Sequence, residues 1–82
     1  MSLDEVRTVL AGVAEDVRSA HALAGRARTG IVDAAALLER LGAQNAQPLP
    51  PPQLLRAVDE LDRGLGLLQA GVSAVTDISA RL

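Results

Sequence analysis

The chain contains no phenylalanine, tryptophan or tyrosine and no cysteine. Without aromatic rings it lacks the side chains that bury the most area each, and any core falls to Leu, Val, Ile and Ala. The stacking platforms on which nucleic-acid bases are held are missing too. Without cysteine there are no disulfides or thiolate metal sites, and the redox compartment is undetermined. Lysine is also absent: all eight basic residues are arginine, a bias that goes with GC-rich coding. No apolar run approaches the roughly 20 residues of a membrane span. The opening Ser2-Leu3-Asp4-Glu5 has acids where a signal peptide carries its positive region. The expectation is a soluble, cytoplasmic protein without a membrane span, with signal-peptide-independent secretion as the alternative.

The formal net charge of −2 is spread evenly: residues 1–44 carry five Arg against six acids, and residues 45–82 three against four. Neither half is a basic arm of the kind that grips phosphates. A chain of 82 residues is one domain, burying only about 60–65% of its unfolded surface. Oligomerisation is the expected supplement to so thin a core.

What the chain does have is a heptad seam. Alternating steps of three and four residues land on Leu3, Val6, Leu10, Val13, Val17, Ala20, Ala24, Ala27, Ile31, Ala34, Leu38 and Leu41. A mean spacing of 3.5 keeps one helical stripe against a partner helix over many turns. Ser2 and Glu5 have the spacing of a capping box at its start. A second seam runs through Leu54, Val58, Leu61, Leu65, Leu68, Val72 and Val75, then Ser79 and Leu82. Between them, Pro48-Leu49-Pro50-Pro51-Pro52 cannot be helix interior, but suits a stiff turn with Pro52 at the first helical position. On the outer face of helix 2, Arg56 with Glu60, Asp59 with Arg63 and Asp77 with Arg81 have the four-residue spacing of ion pairs.

The spacing thus predicts one all-α, coiled-coil-like antiparallel hairpin: helix 1 over about 3–43, a proline-rich turn at 44–52 and helix 2 over about 53–81. One alternative is a break at Gly25–Gly30, with Thr29 capping a third helix in a monomeric bundle. Val9, Leu23 and Leu37 add a third apolar row to helix 1, and Leu55, Leu67 and Ile78 lie beside the seam of helix 2. So wide a stripe suits a bundle of more than two helices. Folded back from the turn, the shorter helix 2 is expected to run out near residue 15. That leaves the amino-terminal seam uncovered and marks an interface. The expected assembly is a homodimer in a four-helix bundle, with Leu3, Val6, Val9, Leu10, Val13, Val17, Leu65, Leu68, Val72 and Val75 at the interface. Ala20, Ala24, Ala27, Ala34, Ala57, Gly64 and Gly71 leave room for a neighbour's leucines, although each glycine also weakens its helix.

No catalytic, cofactor or metal site is expected. His21 is the only histidine and sits beside the seam, whereas zinc wants three or four converging ligands. Asp4-Glu5, Glu15-Asp16 and Asp59-Glu60 are adjacent in helices, and adjacent helical residues do not face each other. Ser19 and His21 face different sides of helix 1, with no nucleophile elbow or orienting acid. Arg26 and Arg28 are the densest basic spot, a solvated face on an acidic chain. The prolines at 48–52 could present a proline-rich ligand, but a hairpin turn accounts for them as well.

The hairpin of under about 100 residues, its turn near mid-chain and its arginine-rich, GC-biased composition resemble the WXG-motif helical-hairpin proteins that actinobacteria export through type VII secretion. Leu41-Gly42-Ala43 stands where that family carries Trp-x-Gly, and Ser73 with Asp77 where it carries Tyr-x-x-x-acid. The resemblance implies a small hairpin that dimerises and acts as an adaptor or partner protein. The expected function is therefore a non-enzymatic protein-interaction module that binds itself and an unidentified protein. A type VII secretion-like substrate or partner, a nucleic-acid-associated protein using Arg18, Arg26 and Arg28, and a structural coiled-coil spacer are the alternatives.

Overall fold

In a computed structural model the chain is an antiparallel pair of α-helices, α1 (Leu3–Asn45) and α2 (Pro52–Arg81). The structure describes residues 1–45 and 50–82. Pro48 and Leu49 of the expected turn lie outside the described residues. The rod measures 64 × 15 × 14 Å, the length of one 43-residue helix at about 1.5 Å per residue.

The helix ends follow local chemistry. The Ser2 Oγ accepts from the Glu5 N–H at 3.1 Å, which caps α1 as its spacing predicts. Asp4 and Glu5 place negative charge in the first turn of α1, and Arg81 places positive charge in the last turn of α2. Both charges complement the helix dipoles. Pro51 is extended, with φ −66° and ψ 147°, and Pro52 opens α2 with the fixed φ of a first helical residue.

No break interrupts α1 at Gly25–Gly30. The Thr29 hydroxyl donates to the Gly25 carbonyl at 3.1 Å, one turn back, so it sits inside the helix that it was a candidate to cap. The three-helix alternative is thereby excluded. α1 continues through Gly42, which is buried, to Asn45.

Along α2 the half-buried row is the expected one, from Leu54 and Val58 through Leu61, Leu65, Leu68, Val72 and Val75 to Ser79. On α1 the seam is turned by one residue at every second position. Leu10, Val17, Ala24, Ile31 and Leu38 face α2 as expected. Their partners in the row are Ala14, His21, Arg28, Ala35 and Gly42, while Val13, Ala20, Ala27, Ala34 and Leu41 are exposed. Small residues explain the choice: Ala14 (5% exposed) and Ala35 (8%) are the buried apolar side chains of the hairpin, and they let α2 come close. His21 accordingly lies on the seam and not beside it.

The register also differs from expectation. Leu10, Ala11 and Ala14 share a groove with Val75, Thr76, Ser79 and Ala80, so α2 extends along α1 well past residue 15. The cause is where the helices meet the turn. α1 runs on to Asn45, beyond the level at which α2 begins, so the whole of α2 lies closer to the amino terminus.

Candidate interaction face

Arg28 links the helices. Its Nε and Nη2 donate to Oδ1 and Oδ2 of Asp62, the second bond at 3.2 Å. The hydrogen bond and the charge of Asp62 hold the Arg28 guanidinium above its ordinary range. This pair fixes which flank of the hairpin is which, because Arg28 and Asp62 lie on the same side of the seam as two open grooves. One groove lies between Leu10–Arg18 and Val75–Ala80, the other among Val32, Ala35, Glu39, Leu55 and Val58.

The opposite flank is mostly apolar, interrupted by Asp16 on α1 and Glu60 on α2. Residues three and four apart share a helix face, so Val9, Val13, Leu23, Leu37 and Leu41 form one stripe along α1. Each of these five is exposed, Leu23 to 61%. In α2, Leu67 (69% exposed) and Ile78 (49%) continue the same side of the layer, joined by the small Ala57, Gly64, Gly71 and Ala74. At Gly64 and Gly71 an added Cβ would meet nothing within 4 Å, so nothing inside the hairpin requires these glycines.

The exposed area gives the scale. The hairpin presents 5,861 Å², against about 4,600 Å² for a compact protein of this mass. The excess, roughly 1,200 Å², reflects the elongation of the 64 × 15 × 14 Å rod.

The residues expected at an interface divide into two groups. Val6, Leu10, Val17, Leu65, Leu68, Val72 and Val75 are half-buried, and from Leu10 onward they serve the seam between α1 and α2. Leu3 (55% exposed), Val9 (57%) and Val13 (42%) remain open. The wider stripe through Leu23, Leu37 and Leu67 carries more exposed apolar surface than these three. Leu23, Leu37 and Leu67 stand in the sequence as surplus apolar positions that the expected interface omits, whereas it includes Val9 and Val13 of the same stripe.

Charged candidates are tied up locally. Arg18 pairs with Glu15 at 3.6 Å and Arg7 with Asp4 at 3.4 Å. Arg63 takes Glu60 at 2.9 Å, three residues away, in place of the expected Asp59. Of the three arginines considered for nucleic acid, Arg18 and Arg28 thus already hold a carboxylate. Among the described residues no three His, Cys, Asp or Glu side chains converge, and no helix is long and apolar enough to cross a membrane. No protein-family model, no curated protein and no solved structure matches the chain.

Proposed function

We propose that the protein is a non-enzymatic interaction module: a helical hairpin that pairs with a second copy and presents the assembled bundle to a protein partner. The observation that carries this reading is the apolar flank centred on Leu23 and Leu67, open along most of the rod. An uncovered apolar surface of that extent supports a role in protein interaction. A chain with so few buried side chains also gains stability by covering it. The cytoplasm is the natural setting for such an adaptor.

Sedimentation equilibrium at micromolar concentration tests the reading. The expected mass is about twice 8.5 kDa, falling to one chain in Leu23→Asp. A wild-type mass of one chain contradicts it. Leu10→Asp is a poorer probe, because Leu10 lines the groove against Val75 and Ala80 and its loss damages the hairpin itself.

The antiparallel hairpin with its turn near mid-chain also supports a second reading, a type VII secretion-like partner protein. Appearance of the intact chain in culture medium, lost when the secretion system is removed, would distinguish it.

A further inference from the structure

Of the two grooves beside the Arg28–Asp62 pair, the one nearer the turn has a carboxylate towards each end and aliphatic surface between. Its volume is about 480 Å³, and its lining includes Val32, Ala35 and Glu39 of α1 with Leu55, Val58 and Asp59 of α2. That size, and a mainly aliphatic wall with few polar groups, are those of a small-molecule cleft. Val32 and Leu55 are 38% and 50% exposed along it, and Ala35 is buried.

The hairpin's own cations leave both carboxylates free. Arg63 has the spacing to reach Asp59 but holds Glu60 at 2.9 Å. Among the described residues neither Glu39 nor Asp59 forms an ion pair, although Arg40 and Arg56 stand close by in sequence. The second groove differs, because the charged side chain in its lining, Arg18, already pairs with Glu15.

The register set by Arg28 and Asp62 gives the spacing of the two ends. Glu39 lies eleven residues after Arg28 on α1, and Asp59 three residues before Asp62 on α2, which is the same direction in an antiparallel pair. The two are therefore staggered by eight residues, about 12 Å along the rod at about 1.5 Å per residue. A compact cation placed at one end does not reach the other.

We propose that this groove binds an extended aliphatic diamine, with one ammonium at Glu39, the other at Asp59 and the methylene chain laid over Val32, Ala35, Leu55 and Val58. An unbranched eight-carbon diamine has nine bonds between its nitrogens. Three bonds of an extended chain cover about 3.6 Å, so the molecule spans about 11 Å. An exposed ion pair alone contributes little, so recognition requires both charges and the apolar contact between them. The groove lies on the flank away from Leu23 and Leu67, which makes the site separate from the self-association face.

Titration of the full chain with three amines, followed by amide NMR, tests the site. The eight-carbon diamine is expected to shift the resonances of Val32–Glu39 and Leu55–Asp59 to saturation. Octylamine, with the chain and one charge, and the four-carbon diamine, with both charges about 6 Å apart, are each expected to bind several-fold more weakly. Glu39→Gln and Asp59→Asn change exposed side chains, and either is expected to lower the affinity of the eight-carbon diamine to that of octylamine. Unchanged far-ultraviolet circular dichroism of the two variants separates this loss from loss of fold. Equal binding of octylamine and the eight-carbon diamine overturns the proposal, because the groove is then only an apolar contact. Equal binding of the two diamines overturns it as well, because the span is then not read, and so does the absence of saturable shifts in the unaltered chain.

Discussion

The Arg28 guanidinium and the Asp62 carboxylate meet in a two-point hydrogen-bonded pair across the gap between α1 and α2, 34 residues apart in sequence. A fork-to-fork pair has a narrow geometric tolerance. In a hairpin whose seam contains mainly Leu, Val, Ala and Gly, sliding by one heptad exchanges apolar residues for apolar residues. The pair supplies a register mark that such a seam lacks.

Breaking it should therefore affect alignment more than helicity. Arg28→Ala is expected to leave the far-ultraviolet circular dichroism almost unchanged and to broaden the amide resonances of Gly25–Ile31 and Leu61–Leu65 as registers interchange. Exchanging the charges, with Arg28→Asp and Asp62→Arg together, should restore sharp resonances. Because both side chains are partly exposed, added salt should reproduce part of the single-variant effect.

Alkaline pH should not break the link. The Arg28 pKa is raised in the folded hairpin by Asp62. Its contribution is then fully present below the ordinary arginine pKa and lost only as pH rises through the still higher folded value. Resonances reporting the register are expected to stay constant from about pH 7 to about pH 10. A transition inside that window would show that another group controls the alignment.

The cap at Ser2 is a local contribution. Its Oγ accepts from the Glu5 N–H and its carbonyl from the Val6 N–H, both at 3.1 Å. Ser2→Ala is expected to cost about 1 kcal/mol. Hydrogen exchange should quicken in the first turn of α1, without change around Arg28. Ser2→Asp should retain most of the protection.

Gly64 and Gly71 should show two effects of opposite sign. Neither is needed inside the hairpin, where a Cβ would meet open space, so each change to Ala raises helix propensity by about 1 kcal/mol. At the proposed face, however, the added methyl groups fill the gaps on either side of Leu67. Gly64→Ala with Gly71→Ala is expected to unfold at higher denaturant concentration when dilute, and to dimerise more weakly. A double variant that dimerises more tightly would remove the glycines from the interface.

The sequence reading succeeds where a single physical rule decides. Ser2 with Glu5, the prolines before α2, and the seam from Leu54 to Ser79 each follow from local chemistry or one clear apolar row. It fails on α1 because two apolar rows lie side by side there. Leu10, Val17, Ala24, Ile31 and Leu38 belong to the seam either way, and hydropathy prefers Val13 and Leu41 to His21 and Arg28 as their companions. Close approach at Ala14 and Ala35 decides otherwise, and the Arg28 stem covers apolar surface while its head reaches Asp62. The candidate face was partly legible for the same reason. Leu23, Leu37 and Leu67 were visible as surplus apolar positions, but their shared flank depends on which row α2 occupies.

Small-angle X-ray scattering tests the central claim, that a second copy covers the apolar flank lengthwise. Helices packed face to face lie about 10 Å apart, so two copies have centres displaced by only about 5 Å each from their common middle. The account predicts a forward-scattering mass of about twice 8.5 kDa with a radius of gyration within about 2 Å of the hairpin's own 18.8 Å. A mass of one chain would contradict it. So would a doubled mass with a radius of gyration approaching twice that of the hairpin, the signature of copies joined end to end with the flank still bare.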